Sequence, residues 1–302
     1  MNKKLLFFLL FPIAGVFAQN LFHENFDSTQ NQLFTAGWER SNQSEPLGTS
    51  NWSKGTAGVQ DYFGTGAYNG NAATSFAYCN FASALGSGTI SNWLFTPVIS
   101  LNNGDVITFY SAKGLSGGET IYADRLELRI SANGAASVLP AGAEDTGDFT
   151  TLALTINPDL TTDGYPTEWT QFSYTVSGIP DGTDCRIAFR YYVTEGGTTG
   201  ANSDYVGIDE FSVDRPLSTQ DFFKNNVSMY PNPATNEVRF TSKNGVALIS
   251  AQVFDIEGRM VADAKFNGLS ETFVNLSELS AGVYSVKVFS ADGNGTAKLI
   301  KK

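Results

Sequence analysis

The sequence predicts an all-β protein made of two units in series. Three observations carry that expectation. Apolar residues alternate with polar ones, the period of a half-buried strand, and no helical period stands out from residue 20 to residue 302. Thirty glycines, with clusters such as Asn102-Asn103-Gly104, Ser116-Gly117-Gly118 and Pro180-Asp181-Gly182, supply many tight turns. Aromatic content of 13%, including 23 Phe, supplies enough apolar side chain to offset the entropy of ordering the chain. Many short strands joined by such turns read as a sandwich or jelly roll.

The segments follow in order. Met1-Asn2-Lys3-Lys4 is a basic start, Leu5 to Val16 is an apolar run broken only by Pro12, and Val16-Phe17-Ala18 offers small residues for a cut after Ala18. This is the layout of a secretory signal peptide over residues 1–18. The run is too short to span a bilayer, which takes about 20 apolar residues. In the body, residues 20–213, strands are expected at Asp105–Tyr110, Asp124–Ile130, Trp169–Val176, Cys185–Tyr191 and Asp204–Val213. Leu126, Leu128 and Ile130 share one face, with charges on the other. Residues 214–226 carry Pro216 and small polar residues without alternation and read as a linker. A second all-β unit runs from Val227 to Lys302, small enough to bury only a thin core.

Charge divides along the same boundaries. The whole chain carries a formal net charge of -11, but residues 20–213 hold 21 acidic against 7 basic residues, a net of -14. Such a surface repels phosphate backbones and argues against a nucleic-acid partner. One histidine, His23, excludes chemistry that needs two, including the HExxH zinc helix. His23 has no G-x-S-x-G partner and reads as a solvent-facing strand residue. Cys79 and Cys185 both sit in strand-like runs, and export permits a bridge. Two buried thiols and one disulfide both remain open.

Trp38, Trp52, Trp93 and Trp169 all belong to the larger unit; core packing explains them as well as a sugar platform does. The Gly-rich stretch 61–71 is the better binding-loop candidate, carrying Tyr62, Phe63 and Tyr68 among turn residues.

The C-terminal unit is the most specific part. Tyr230-Pro231-Asn232-Pro233 opens it, Val253-Phe254-Asp255-Ile256-Glu257-Gly258-Arg259 follows as a hairpin, then Leu279-Ser280-Ala281-Gly282-Val283-Tyr284, then the basic tail from Lys298. These four pieces in this order resemble the type A C-terminal sorting domain of the type IX secretion system of Bacteroidetes. The resemblance assigns Tyr230, Pro231, Asn232, Pro233, Asp255, Gly258, Arg259, Gly282, Tyr284 and Lys298 to the sorting motif. It implies an immunoglobulin-like β-sandwich read by the translocon and removed by a sortase. The cargo would then be released, or attached to surface lipopolysaccharide.

The larger unit opens with Glu24-Asn25-Phe26, continues through Gly37-Trp38 and Trp93-Leu94-Phe95-Thr96-Pro97, and closes with Ile208-Asp209-Glu210-Phe211. It resembles the choice-of-anchor J or cleaved-adhesin jelly roll, a relative of MAM domains. The resemblance implies one structural Ca²⁺ held by Glu24 and Asp209, with Asp27, Asn51 and Asn71 as further candidates. Solvated strand-end carboxylates are the plain alternative. There is no D-x-D-x-D-G loop.

Three function classes stand against each other. The leading one is a secreted or surface adhesin-like binding protein, not an enzyme, with a glycan or protein ligand. The others are an extracellular carbohydrate-active enzyme using two carboxylates and a non-catalytic structural surface component.

Overall fold

In the computed structural model the described residues are 18–64, 66–69, 72–116, 120–216, 219–243, 245–290 and 293–302. Apart from Ala18, the expected signal peptide lies outside them. The described chain is all-β, with short helices at Gln30–Thr35 and Thr219–Asn226. It divides into two compact units, one spanning Asn20–Arg215 and the other including Pro216–Lys302.

The larger unit is a jelly-roll β-sandwich of a six-stranded and a seven-stranded sheet. The front sheet runs Thr170–Thr175, Val106–Gly114, Tyr205–Pro216, Ala77–Asn80, Ser53–Lys54, and Ala18–Glu24 also pairs with Tyr205–Pro216. The back sheet runs Thr151–Ile156, Leu126–Ser131, Thr183–Gly196, Ala84–Phe95, Glu39–Asn42. Its flanks are Glu45–Leu47 on Ala84–Phe95 and Ile99–Leu101 on Thr183–Gly196. Alternation aims Ile107, Phe109, Val206, Ile208 and Phe211 from the front sheet, and Leu126, Leu128, Ile187, Phe189 and Tyr191 from the back, into one core. Each such buried side chain contributes roughly 1.5–3 kcal/mol. Cys79 and Cys185 are both buried in this core as free thiols. Burial pushes them up to about 12 and about 11, so both stay protonated and unreactive at neutral pH.

Neither sheet leaves its outer face fully to water. On the back sheet, the charges opposite Leu126 and Leu128 are not solvated as the alternation suggested. Glu127 accepts from Arg129 Nε at 2.7 Å and from Arg190 Nη1 at 3.2 Å, and Arg190 lies over the Trp93 ring at 4.9 Å. Phe149 covers Trp93, Phe95 and Ala188 in a second small core. On the front sheet, Phe63, Phe76 and Ala112 form a third, with Trp169, Tyr62, Tyr78 and Tyr205 packed against it. Gly207 makes that layer fit: a Cβ there would stand 2.8 Å from both the Phe63 and Trp169 rings.

The second unit stacks a three-stranded sheet, Val227–Tyr230, Glu237–Ser242, Glu271–Asn275, with a four-stranded one, Met260–Leu269, Leu248–Phe254, Gly282–Ser290, Gly293–Lys301. Val238, Phe240, Leu248, Val253, Val286 and Val288 meet between them. The expected linker at 214–226 is corrected here. The last strand of the larger unit continues through Pro216, and Thr219–Asn226 is a helix whose Phe222 and Phe223 enter the second unit's core. Gly295 on the final strand admits that helix, since a Cβ there would stand 2.7 Å from Phe223 Cβ.

The helix is therefore part of the fold of the C-terminal unit. Phe222→Ala is expected to lower that unit's unfolding free energy by about 3 kcal/mol, the cost of emptying a core site. Denaturant unfolding checks it, and an unchanged transition would show the helix to be a passive tether.

Candidate functional site

Loops at one end of the larger unit enclose a cavity of about 440 Å³ lined by Phe81, Tyr122, Thr198, Thr199, Ser203 and Asp204 among others. The site is built outward from Asp204, which leads into the strand Tyr205–Pro216. Its carbonyl accepts from Phe81 N at 2.8 Å, which fixes that ring's backbone. Its carboxylate accepts from Ser116 N at 3.0 Å and from the Ser116 hydroxyl. Its own N–H donates to Asp124 Oδ1 at 2.9 Å, and Tyr191 OH donates to the same oxygen at 2.6 Å. The other Asp124 oxygen is buried without a hydrogen-bond partner among the described residues. Burial pushes the Asp124 carboxyl up to about 7.

Lys113, also buried, donates to Tyr122 O at 3.3 Å and to Thr162 O. Burial lowers its pKa, while Asp124, Asp204 and Asp163 favour its charged form. The ammonium thus ties the Tyr122 and Thr162 loops together behind the cavity. Outside the mouth, Tyr205 gathers three rings: Tyr62 at 4.9 Å, Phe81 at 5.9 Å and Tyr78 at 6.0 Å. All four are half-buried and lead along the sheet toward the cavity.

The three loop aromatics expected to bind ligand separate. Tyr62 joins the ring strip. Phe63 is buried against Phe76 and Trp169, so it cannot touch a ligand; the bare surface over Gly207 draws it inward. Tyr68 is 44% exposed and stacks on Tyr110 at 3.6 Å, one turn of sheet away beside Asp209. Trp38, Trp52 and Trp93 are core residues, and Trp169 is half-buried with its Nε1 donating to Gly66 O at 2.6 Å. His23 faces solvent and meets Glu210 at 2.7 Å.

Glu24 and Asp209 lie on paired strands, as the jelly roll implies. One oxygen of Glu24 and both of Asp209 are already engaged. Glu24 Oε1 accepts from Phe26 N at 2.8 Å; Asp209 Oδ2 accepts from Tyr68 N at 2.9 Å and Asn69 N at 3.3 Å, and Oδ1 from Glu210 N at 2.8 Å. Asp27 Oδ2 accepts from Asn25 Nδ2 at 2.8 Å, and Asn51 Oδ1 from Trp52 N at 2.9 Å. Asn71 lies outside the described residues. Among the described residues no three His, Cys, Asp or Glu side chains converge as metal ligands.

In the C-terminal unit most of the sorting-motif residues have a physical task. Asn232 mimics a strand residue: its Nδ2 donates to Lys298 O at 2.8 Å and its Oδ1 accepts from Ile300 N at 2.9 Å, clamping the final strand. Tyr230, on whose backbone Pro231 and Pro233 follow, brings its hydroxyl within 3.3 Å of Glu271. Asp255 closes the hairpin by accepting from Glu257 N at 2.9 Å, Arg259 N at 3.0 Å and Arg259 Nε at 2.8 Å. The Arg259 N–H leads in holding the Asp255 carboxyl below its usual range. Gly258 supplies the φ of 79° that the turn requires. Tyr284 OH donates to Ser280 O at 2.8 Å, and its ring passes 3.7 Å from where a Gly282 Cβ would be. Asp255, Tyr284 and Lys298 then line one cavity of about 710 Å³ with Phe223, Lys224 and Ile256. Among the described residues no helix is long and apolar enough to cross a membrane.

Together these features define an all-β protein: a larger sandwich with a loop-end cavity, followed by a smaller sandwich. Residues 228–302 are a secretion system C-terminal sorting domain, matching that family's model. Among solved structures, the chain is similar to the K1 cleaved adhesin domain of Lys-gingipain from Porphyromonas gingivalis W83, at 21% identity and a TM-score of 0.41, covering 64% of this chain and 96% of that one. The K3 domain of the same protein gives 17% identity, a TM-score of 0.38, and coverage of 65% and 99%. The carbohydrate-binding module TmCBM61, solved in complex with β-1,4-galactotriose, gives 13% identity, a TM-score of 0.35, and coverage of 65% and 99%. No curated protein matches the chain.

The buried Asp124 generates a pH dependence. Its folded pKa, about 7, lies above the ordinary 3.8, so its stabilising effect is full below the ordinary value and lost as pH rises through about 7. Facing it are Tyr191, Asp204 and Lys113. The melting midpoint of the larger unit is expected to fall between about pH 4 and about pH 7 and to level off above that, and Asp124→Asn to flatten that fall. Asp209, also pushed up to about 7 by burial, contributes in the same direction.

Proposed function

We propose that this chain is a non-catalytic, glycan-binding protein delivered to the cell surface or the medium by the type IX system. The sorting domain implies export to the surface or secretion and an interaction with the secretion machinery. The observation that supports the glycan ligand is the loop-end cavity. A sugar presents an apolar C–H face and a rim of hydroxyls, and Phe81 and Tyr122 offer rings for the first. Thr198, Thr199 and Ser203 offer hydroxyl donors and acceptors for the second, with the buried Asp204 behind them. The Tyr62, Tyr78 and Tyr205 rings extend a platform beside the mouth, which suits a chain of sugars better than a single unit.

A hydrolytic role has less support. A glycosidase holds two carboxyl groups about 5–5.5 Å or 6.5–9.5 Å apart across the scissile bond. Asp204 is the one carboxylate among the described lining residues, and Asp124 behind it is buried and bonded to Tyr191. Removal of the sorting domain by a sortase, followed by release or by linkage to surface lipopolysaccharide, belongs to the same proposal. So does the kinship of the larger unit to choice-of-anchor J adhesins.

Two experiments test this. A glycan array with the secreted protein is expected to give binding that falls at least about tenfold in the double variant Phe81→Ala, Tyr122→Ala, since base-like stacking partners contribute about 1–3 kcal/mol by truncation. Undiminished binding would remove the cavity as the site. Deleting Val227–Lys302 is expected to trap the protein in the periplasm, and normal export of the truncated chain would sink the sorting assignment.

A further inference from the structure

Within the front sheet of the larger sandwich a lysine occupies the ground where acidic groups gather. Lys54 sits on the short strand Ser53–Lys54, held in register by pairing with Tyr78 and Ala77. Its side chain runs inward, and its ammonium donates to the carbonyl of Phe26. That carbonyl is aimed by a strained turn. Phe26 has φ of 51°, a left-handed conformation that a bulky residue keeps only when its surroundings enforce it. The enforcement is visible on both sides of the peptide. The Phe26 ring is buried 5.4 Å from Trp38, and the Phe26 N–H donates to Glu24 Oε1.

Three carboxylates lie near enough to bias this one ammonium, though among the described residues none pairs with it directly. Asp27, Glu24 and Asp209 each favour the charged lysine, against the desolvation that opposes it. Reciprocally, Lys54 favours the ionised form of Glu24, whose burial works the other way. The remaining charged groups nearby, His23 and Glu210, are paired with one another at the surface. A hard divalent cation needs six to eight oxygens. Here the Phe26 carbonyl is taken by the ammonium, one Glu24 oxygen by a backbone N–H, and both Asp209 oxygens by three backbone N–H groups. With an ammonium on its carbonyl and N–H groups on most of its carboxylate oxygens, this donor set does not fit the ion that the family resemblance implies.

We propose that Lys54, bonded to the Phe26 carbonyl beside Glu24, Asp27 and Asp209, is the internal cation of this acidic cluster and takes the place of a divalent ion. The ammonium neutralises one charge, makes a directed hydrogen bond to a strained carbonyl, and comes with the fold rather than from the medium. A surface-exported protein so built keeps its first and last strands docked regardless of calcium supply.

Thermal melts of the full chain test the proposal. Wild type is expected to melt within about 1 °C in millimolar calcium and in excess chelator, because ligand binding to the folded state raises the midpoint only where a site exists. Lys54→Gln is expected to melt about 4–8 °C lower in chelator, a loss typical of stranding buried charge in a unit this size. Calcium is expected to restore at most a small part of that loss, since the variant frees the Phe26 carbonyl while the backbone N–H groups still hold Glu24 and Asp209. A wild-type midpoint that climbs several degrees with calcium would overturn the proposal, and so would a Lys54→Gln variant as stable as wild type in chelator. Should the variant not fold, calorimetric titration of wild type with calcium decides: saturable binding overturns the inference, and no binding heat supports it.

Discussion

The larger sandwich depends on one strand, Tyr205–Pro216, and on the buried carboxylates at Asp204 and Asp209. Both act as acceptors for loop amides that have no strand to pair with. Asp204 takes the Ser116 amide, and Asp209 takes those of Tyr68, Asn69 and Glu210. An unpaired buried N–H costs as much as a lost hydrogen bond, so irregular loops, and the register shift after Asp209, need such acceptors. Carboxylates do this well because charge-assisted bonds to backbone N–H are short and strong. The opposing term is desolvation, which pushes Asp209 up to about 7. A lysine lies near each group of acids, Lys54 by Asp209 and Lys113 by Asp204 and Asp124.

The covered outer faces decide where a ligand can meet the protein. A sheet with both faces packed has no broad open platform. On the back, Glu127, Arg129 and Arg190 are roofed by Phe149 and its neighbours. On the front, Phe63 and Trp169 fill the bare surface above Gly207. What stays half-open is the border of that aromatic layer, where Tyr62, Tyr78, Phe81 and Tyr205 run toward the cavity. The binding surface is thus the unfinished edge of a core, which explains why it is both aromatic and rigid.

Much of this was legible before any coordinates. Alternation located the strands around Leu126–Leu128 and Ile208–Phe211, and the four C-terminal pieces marked the sorting unit because each is a short local device. Three things were not legible. The helix Thr219–Asn226 is about two turns long, too short for a 3.6-residue period to emerge, and its two adjacent phenylalanines read as nothing in particular. The direction of Phe63 depends on Gly207, which lies far along the chain. The cavity joins Phe81, Tyr122 and Asp204 from three separate loops, and only the sheet order brings those loops to one end.

The charge of the larger unit takes a different meaning once burial is known. Its formal net of -14 counts every carboxylate as ionised. Asp124 and Asp209 are both pushed up to about 7, so at neutral pH each is only partly charged. Glu127, by contrast, is spent on Arg129 and Arg190, a buried pairing whose loss would strand two guanidinium groups. The acidity that reaches solvent is therefore smaller than the count, and it is carried by surface residues such as Asp61, Asp159 and Glu168, away from the core. That surface charge keeps an exported β-sandwich soluble and turns polyanions away. The buried acids serve the fold, by holding the loops that make the cavity.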